Sequence, residues 1–127
     1  MIIQSIKTRV FQEGDDLLTF IIDYFKKLSE KSVIVITSKI VALAEKRTAV
    51  VENIQTKEKL ILVESELAIP TKHTWLTIKD GMVMASAGID ESNANGKLIL
   101  LPKDSFKTAR FLRDKLRKYY NIQHLGV

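Results

Sequence analysis

Apolar residues recur along this chain with two spacings, and each spacing predicts one kind of secondary structure. A spacing of three or four residues, which places side chains on one face of a helix, covers residues 14–28 and again residues 105–120. A short helix follows Thr37 or Ser38, either of which is suited to cap it, and Ser105 is suited to cap the last helix. The apolar faces expected on the two long helices comprise Leu17, Leu18, Ile21, Phe25 and Leu28 in the first, and Phe106, Ala109, Leu112, Leu116 and Tyr119 in the second.

Shorter apolar runs predict strands at residues 2–10, 48–51 and 98–101, and residues 124–127 look like the start of another. Residues 33–36 are continuously apolar, which is typical of a strand buried on both faces. Asp80 and Gly81 separate the runs 74–78 and 82–85 and indicate a hairpin, because this pair is preferred where a tight turn needs positive φ. Residues 56–67 are ambiguous between helix and strand, with helix favoured, and Pro70 ends whichever forms.

These elements predict an α/β fold, of the α+β kind with a mixed sheet. The chain has 127 residues, of which 46% are hydrophobic and 28% charged, so it is long enough for one modest domain with a real core. No repeat or low-complexity linker divides it, and we expect a single domain over residues 1–127. Cysteine is absent, which excludes disulfides and thiolate metal sites. Without a signal peptide or an apolar run of about 18 residues, we expect a cytoplasmic protein with no membrane partner.

The net charge of +5 is concentrated beside one predicted helix. Aromatic residues and glycines are not interleaved with these bases, as a platform for stacking nucleic acid bases would need, and we expect no specific nucleic acid partner. A salt-dependent shift of DNA by the protein would instead support a small basic nucleic acid binder. A solvated helix face, or a basic face beside a site for anionic substrates, explains the charge equally well. The bases concerned are Lys103, Lys107, Arg110, Arg113, Lys115, Arg117 and Lys118.

The segment 86–93, Ser-Ala-Gly-Ile-Asp-Glu-Ser-Asn, carries the clearest candidate chemistry. Gly88 allows the backbone to approach a ligand closely. Asp90 offers a hard carboxylate oxygen to Mg²⁺ or Mn²⁺, and Ser92 and Asn93 are able to hydrogen-bond phosphate or ribose. The same composition is also typical of a polar turn that leaves a strand.

A second candidate lies where the run 33–36 meets the short helix. Thr37, Ser38 and Lys39 place hydroxyls, backbone N–H groups and a cation at a helix N-terminus, where anions are favoured. A capped helix with a solvent-exposed lysine is the alternative. Asp15 and Asp16 are better explained as residues of a helix N-terminus than as ligands.

Four segments, in the same order over nearly the whole chain, resemble the coenzyme F420-0:L-glutamate ligase family. These gamma-glutamyl ligases use GTP and a divalent metal to join glutamate to a carboxylate. The segment from Ser86 to Gly96 also resembles a bacterial branch described as folate-metabolism gamma-glutamate ligases. The four segments are Glu13-Gly14-Asp15-Asp16-Leu17, the run 37–47, Ala87-Gly88-Ile89-Asp90 with Ser92-Asn93, and Leu100-Leu101-Pro102-Lys103-Asp104 followed by Ala109-Arg110.

The resemblance implies a role for particular residues. Asp90 is the expected metal ligand, and Ser38, Lys39 and Asn93 are the expected nucleotide contacts. Residues 8–11 align with another stretch that contacts nucleotide, although their residue types differ. No nucleophilic catalytic side chain is expected, because positioning and charge neutralisation supply most of such an acceleration. Two positions depart from the family: Leu43 stands where it has a lysine, and Lys46 where it has a glycine.

The resemblance also implies a reaction and its partners. The acceptor carboxylate, of coenzyme F420-0 or a folate, takes the γ-phosphoryl group of GTP, and the amine of L-glutamate then displaces phosphate from the acyl phosphate. A homodimer is expected. The chain corresponds to the N-terminal half of the family, so we expect it to be inactive without the second half. The alternative is a non-catalytic nucleotide-binding or assembly module derived from the same fold.

Overall fold

The computed structural model describes residues 2–50, 53–91 and 96–127. The chain forms two compact units: a terminal unit, Met1–Lys46 with Pro102–Val127, and a central unit, Arg47–Leu101. Helices and short strands alternate along it, which confirms the predicted mixed fold of helices and sheets. The helices of the described residues are α1 (Leu17–Tyr24), α2 (Ser38–Ala44), α3 (Ile54–Glu64) and α4 (Ser105–Tyr120). The strands are β1 (Ser32–Val33), β2 (Thr48–Val50), β3 (Leu67–Pro70), β4 (Trp75–Lys79), β5 (Met82–Ala85), β6 (Lys97–Ile99) and β7 (Leu125–Gly126).

The terminal unit packs α1, α2 and α4 around one apolar core beside a two-stranded parallel sheet of β1 and β7. Side chains cap the helices, because the first backbone N–H groups of a helix have no partner within it. The Asp16 carboxylate accepts from the Thr19 N–H at the start of α1, and Thr37, as predicted, caps α2. The buried core residues are Phe11, Leu17, Phe20, Ile21, Ile34, Val41, Leu112, Leu116 and Leu125.

Two strand predictions in this unit are wrong. Residues 2–10 form no strand and are exposed, because a strand needs a hydrogen-bonded neighbour and the described residues supply none. The run 33–36 is not buried on both faces: Ile34 is buried, but Val35 is 90% exposed. Only the beginning of that run, in β1, pairs with another strand. The predicted strand at the end of the chain is confirmed as β7.

The two long helices also differ in detail from the prediction. The first ends at Tyr24 rather than at residue 28, yet Phe25 and Leu28 still pack against the core from irregular backbone. The last helix is capped by Asp104 rather than Ser105, because the Asp104 carboxylate accepts from the Lys107 N–H at 2.8 Å. At its ends, Phe106 is 84% and Tyr119 is 61% exposed, although both belonged to the expected apolar face.

The central unit contains two antiparallel sheets, β2–β6 and β3–β4–β5, together with α3. The predicted hairpin is confirmed: β4 and β5 pair across Asp80 and Gly81, whose φ values are 51° and 70°. The ambiguous segment forms α3 as far as Glu64, as favoured, and β3 then ends at Pro70. The predicted strand 48–51 is observed as β2, and its last predicted residue, Val51, lies outside the described residues.

No helix in the described part of the chain combines the length and apolar character needed to cross a membrane.

Candidate functional site

The candidate metal segment begins with a strained turn directly after β5. Residues 86–91 are called the signature turn below. Its first three residues are left-handed in succession, with φ of 47° at Ser86, 53° at Ala87 and 69° at Gly88. Each non-glycine residue in this conformation costs about 1–2 kcal/mol. Such strain persists only where surrounding contacts hold the backbone in place, and it occurs often at ligand sites.

A buried threonine holds the start of the signature turn. Thr77, in the middle of β4, is fully buried. Its hydroxyl donates to the Met84 carbonyl at 2.7 Å and accepts from the Ala87 N–H at 2.8 Å. A second hydroxyl contact joins Thr74 Oγ1 to Ser86 Oγ at 3.0 Å. Thr77 lies in β4 and Thr74 directly precedes it, so the hairpin of β4 and β5 supports the turn.

Close packing fixes the middle of the signature turn. A Cβ atom on Gly88 would lie 2.6 Å from Leu101 Cδ1 and 2.8 Å from Leu101 Cγ, closer than real Cβ atoms approach other atoms. Gly88 is therefore required for contact with Leu101, in addition to its left-handed backbone. Two of the segments that carry the family resemblance thus meet at this point.

The backbone of Asp90 is fixed by β6. The Asp90 N–H donates to the Ile99 carbonyl at 2.9 Å, and the Ile99 N–H donates to the Asp90 carbonyl at 2.8 Å. The Asp90 side chain is half-buried. Its neighbour Glu91 is exposed and forms an ion pair with Lys57.

The donor chemistry at Asp90 fits a partial shell for Mg²⁺ or Mn²⁺. Such ions are often held by one or two carboxylates together with substrate phosphates. Within the described ranges, no group of three or more His, Cys, Asp or Glu residues is arranged to hold a metal ion. Asn93, the predicted nucleotide contact, lies outside the described residues, as does Ser92.

Arg47 contacts Leu101, the residue that packs against Gly88, and has a role that the sequence did not reveal. Its Nε donates to the Leu101 carbonyl at 3.1 Å, and its Nη2 lies 2.6 Å from the Glu64 carboxylate. Lys79 Nζ lies 2.9 Å from the same carboxylate. Burial alone would raise the pKa of Glu64, but hydrogen bonds from Lys79 and Arg47 outweigh it and lower that pKa below its usual value. Arg47 is thus held in the scaffold of the central unit.

The second candidate segment lies in the terminal unit, at the start of α2. The Thr37 hydroxyl accepts from the Lys39 N–H at 3.4 Å, Ser38 is exposed, and Lys39 is half-buried. Because Asp90 belongs to the central unit, the joint use of Ser38, Lys39 and Asp90 in one site stays a prediction.

The two departures from the family have structural consequences. Leu43 is half-buried and packs against the core of the terminal unit, so this position contributes apolar contact rather than a cation. Lys46 has a φ of 55°, a conformation that favours glycine, the residue that the resemblance implies at this position. Its side chain lies along Gly14, where an added Cβ would be 3.1 Å from Lys46 Cε.

Glu45, between these two positions, joins α2 to the beginning of α4. Its carboxylate accepts from the Lys103 N–H at 2.8 Å and from Thr108 Oγ1 at 2.8 Å. Sequence reasoning assigned no role to Glu45, because its partners lie about sixty residues away in the chain.

The N-terminal segments are tied to α1. Arg9 Nη1 lies 2.5 Å from the Asp15 carboxylate, and its guanidinium lies over the Phe20 ring at 5.0 Å. The hydrogen bond from Arg9, with one from the Gln12 N–H, lowers the pKa of Asp15. Because Asp16 caps α1, the prediction that Asp15 and Asp16 are residues of a helix N-terminus is confirmed. The predicted nucleotide contact of residues 8–11 stays a prediction.

Comparison with known proteins shows the family of the chain. The F420-0:Gamma-glutamyl ligase family matches residues 5–127, and the chain belongs to this family. A curated relative, the coenzyme F420:L-glutamate ligase of Methanopyrus kandleri, is 30% identical over an alignment of 138 residues. The alignment covers 94% of this chain and 54% of the relative, so the chain spans about half the length of that relative.

Proposed function

We propose that this chain forms part of a GTP-dependent and divalent-metal-dependent gamma-glutamyl ligase. The single observation that supports this best is the signature turn, whose strained backbone presents Asp90 from a main chain fixed on both sides. Two consecutive left-handed non-glycine residues cost stability, and strain of this kind occurs often at ligand sites. Family membership supplies the reaction class, and the substrates are L-glutamate and an acceptor carboxylate such as that of coenzyme F420-0 or a folate.

In this proposal Asp90 holds Mg²⁺ or Mn²⁺, and Ser38, Lys39 and Asn93 contact the nucleotide. A bound divalent cation supplies positive charge to phosphate and carboxylate oxygens. The contribution of the chain is to hold the Asp90 carboxylate in place before substrates arrive, because a preorganised ligand loses little freedom on binding. Lys39 brings a further positive charge toward an anionic nucleotide. No side chain need form a covalent bond with the acceptor.

A second candidate is a nucleotide-binding module without catalysis. The apolar packing of Leu43 favours it, because the family has a lysine at this position and one expected phosphate contact is missing. A homodimer is a further proposal. It is supported by the parallel sheet of the terminal unit, whose two strands have no other strand beside them among the described residues and so offer unpaired edges to a second copy.

Nucleotide binding to the 127-residue chain tests the proposed site. Thermal unfolding is followed with Mn²⁺ alone, with GTP alone and with both, and ATP replaces GTP in a parallel series. A ligand at 100 times its dissociation constant stabilises the folded state by about 2.7 kcal/mol, which is a readily measured shift in melting temperature. We expect the largest shift when Mn²⁺ and GTP are present together.

Two matched variants locate that shift in the signature turn. Asp90→Asn keeps the shape of the side chain and removes the charge, so we expect it to abolish the additional effect of Mn²⁺. Glu91→Gln makes the same change one residue later, at a carboxylate that pairs with Lys57, and should leave the effect intact. Equal loss in both variants would show a general effect of loop charge, and no loss in Asp90→Asn would remove Asp90 from the site.

A further inference from the structure

We propose that Thr77 is a positioning residue for the metal site, which rests on the proposed function of Asp90. Thr77 lies thirteen residues before Asp90 and is fully buried, so it touches neither metal nor substrate. Its hydroxyl is nevertheless the one side-chain group seen to bond the N–H of Ala87 among the described residues. It therefore acts through the backbone of the signature turn.

The geometry explains how one hydroxyl has this effect. As an acceptor it holds the Ala87 N–H, and as a donor it holds the Met84 carbonyl, so it joins the end of β5 to the start of the turn. The turn enters the left-handed region at Ser86 and leaves it after Gly88, one residue before Ile89 and two before Asp90. On the far side, Asp90 is bonded to Ile99 in both directions. Only Gly88 and Ile89 lie between these two anchored residues, Ala87 and Asp90.

Loss of the Thr77 hydroxyl leaves the buried Ala87 N–H and the half-buried Met84 carbonyl without this partner. Buried polar groups without hydrogen bonds are costly, and the left-handed residues are themselves strained, so the turn would relax toward ordinary backbone angles. The bonds to Ile99 hold the backbone of Asp90, so such a change in the residues just before it would alter the direction in which its carboxylate is presented. The metal then loses a preorganised ligand.

The test measures Mn²⁺ binding to the ¹⁵N-labelled 127-residue chain. Paramagnetic Mn²⁺ broadens the amide signals near its site, and the broadening detects even weak binding. In the wild type we expect broadening at the amides of residues 88–91 that Asp90→Asn removes. In Thr77→Val, which has the same shape without the hydroxyl, we expect Mn²⁺ affinity at this site to fall by at least about tenfold, and the Ala87 N–H to exchange faster with solvent.

Thr77→Ser restores the hydroxyl and should restore both signals. Thr108→Val is the matched control, because it removes a threonine hydroxyl that donates to Glu45 in the terminal unit at 2.8 Å. It should lower stability without changing Mn²⁺ binding. Should Thr77→Val not fold, Thr77→Ala takes its place, since it also removes the hydroxyl and adds no bulk to the packed interior. The same loss of Mn²⁺ affinity is required of it.

The possible results separate the two proposals. Wild-type affinity in a folded Thr77→Val or Thr77→Ala chain would show that Thr77 has only a structural role, while the Asp90 site would stand. Failure of Thr77→Ser to restore binding would likewise overturn the role of the hydroxyl. Absence of Asp90-dependent broadening in the wild type would remove the metal site, and the positioning role of Thr77 with it.

Discussion

Gly88→Ala tests whether the signature turn is held by close packing against Leu101. The substitution places a Cβ atom 2.6 Å from Leu101 Cδ1 in a residue whose φ is 69°. The left-handed backbone costs about 1–2 kcal/mol for alanine. The overlap with Leu101 adds about 1–3 kcal/mol, as is usual when a methyl group is inserted into a packed region. We therefore expect the free energy of unfolding to fall by about 2–5 kcal/mol.

Gly81→Ala is the matched control in the same unit. Gly81 has a φ of 70°, nearly that of Gly88, but a Cβ there has no described heavy atom within 4 Å. It should lose only the conformational part, about 1–2 kcal/mol. The difference between the two variants therefore isolates the contact with Leu101. Combining Gly88→Ala with Leu101→Ala should cost less than the sum of the single changes, by about 1–3 kcal/mol.

Urea unfolding followed by tryptophan fluorescence is a suitable assay. The chain has a single tryptophan, Trp75, which lies in β4 and reports on the central unit. Equal losses for Gly88→Ala and Gly81→Ala, or strict additivity in the double variant, would refute the packing of Gly88 against Leu101.

Three further changes test other features of the structure. Lys46→Gly should stabilise the chain by about 0.5–1 kcal/mol, because relief of the left-handed conformation exceeds the added entropy of the unfolded glycine; a lower urea midpoint would show that the Lys46 side chain matters more. Asp104→Ala should cost about 1 kcal/mol through loss of the cap on α4, measured by circular dichroism; an unchanged midpoint would contradict this. Because folding lowers the pKa of Glu64, its ionised carboxylate stabilises the folded state above about pH 4.5, and this stabilisation is lost as the pH falls through the folded-state pKa. Glu64→Gln should therefore flatten the acid branch of the plot of unfolding free energy against pH. An acid branch as steep as that of the wild type would contradict the role given to Glu64.

Local chemistry made some parts of the fold predictable. The hairpin around Asp80 and Gly81 depends on two adjacent residues that tolerate positive φ, so the sequence contains the whole signal. The α2 cap at Thr37 is equally local. By contrast, the β-branched residues within the segment 2–10 do not determine whether a partner strand lies beside it. The apolar spacing that predicted helix as far as residue 28 reports burial, which irregular backbone also provides.

The candidate site shows the same limit. Asp90 and Gly88 were proposed because their residue types match a site and because the family resemblance marked them. Thr77 gave no such signal, since a threonine in a strand is ordinary and its partner Ala87 lies ten residues away. Glu64 was likewise hidden in a segment of ambiguous secondary structure, although it joins Arg47 and Lys79.

Transfer of a glutamyl group is the most direct test of the proposed activity. The enzyme that contains this chain is incubated with GTP, Mn²⁺, L-glutamate and coenzyme F420-0, and the acceptor is analysed by mass spectrometry. We expect the acceptor to gain one glutamyl residue as phosphate is released, at a rate that is about 100-fold lower in Asp90→Asn and unchanged in Glu91→Gln. Absence of any glutamyl product with F420-0 or folate acceptors, or a full rate in Asp90→Asn, would contradict the ligase proposal or the assignment of Asp90, respectively.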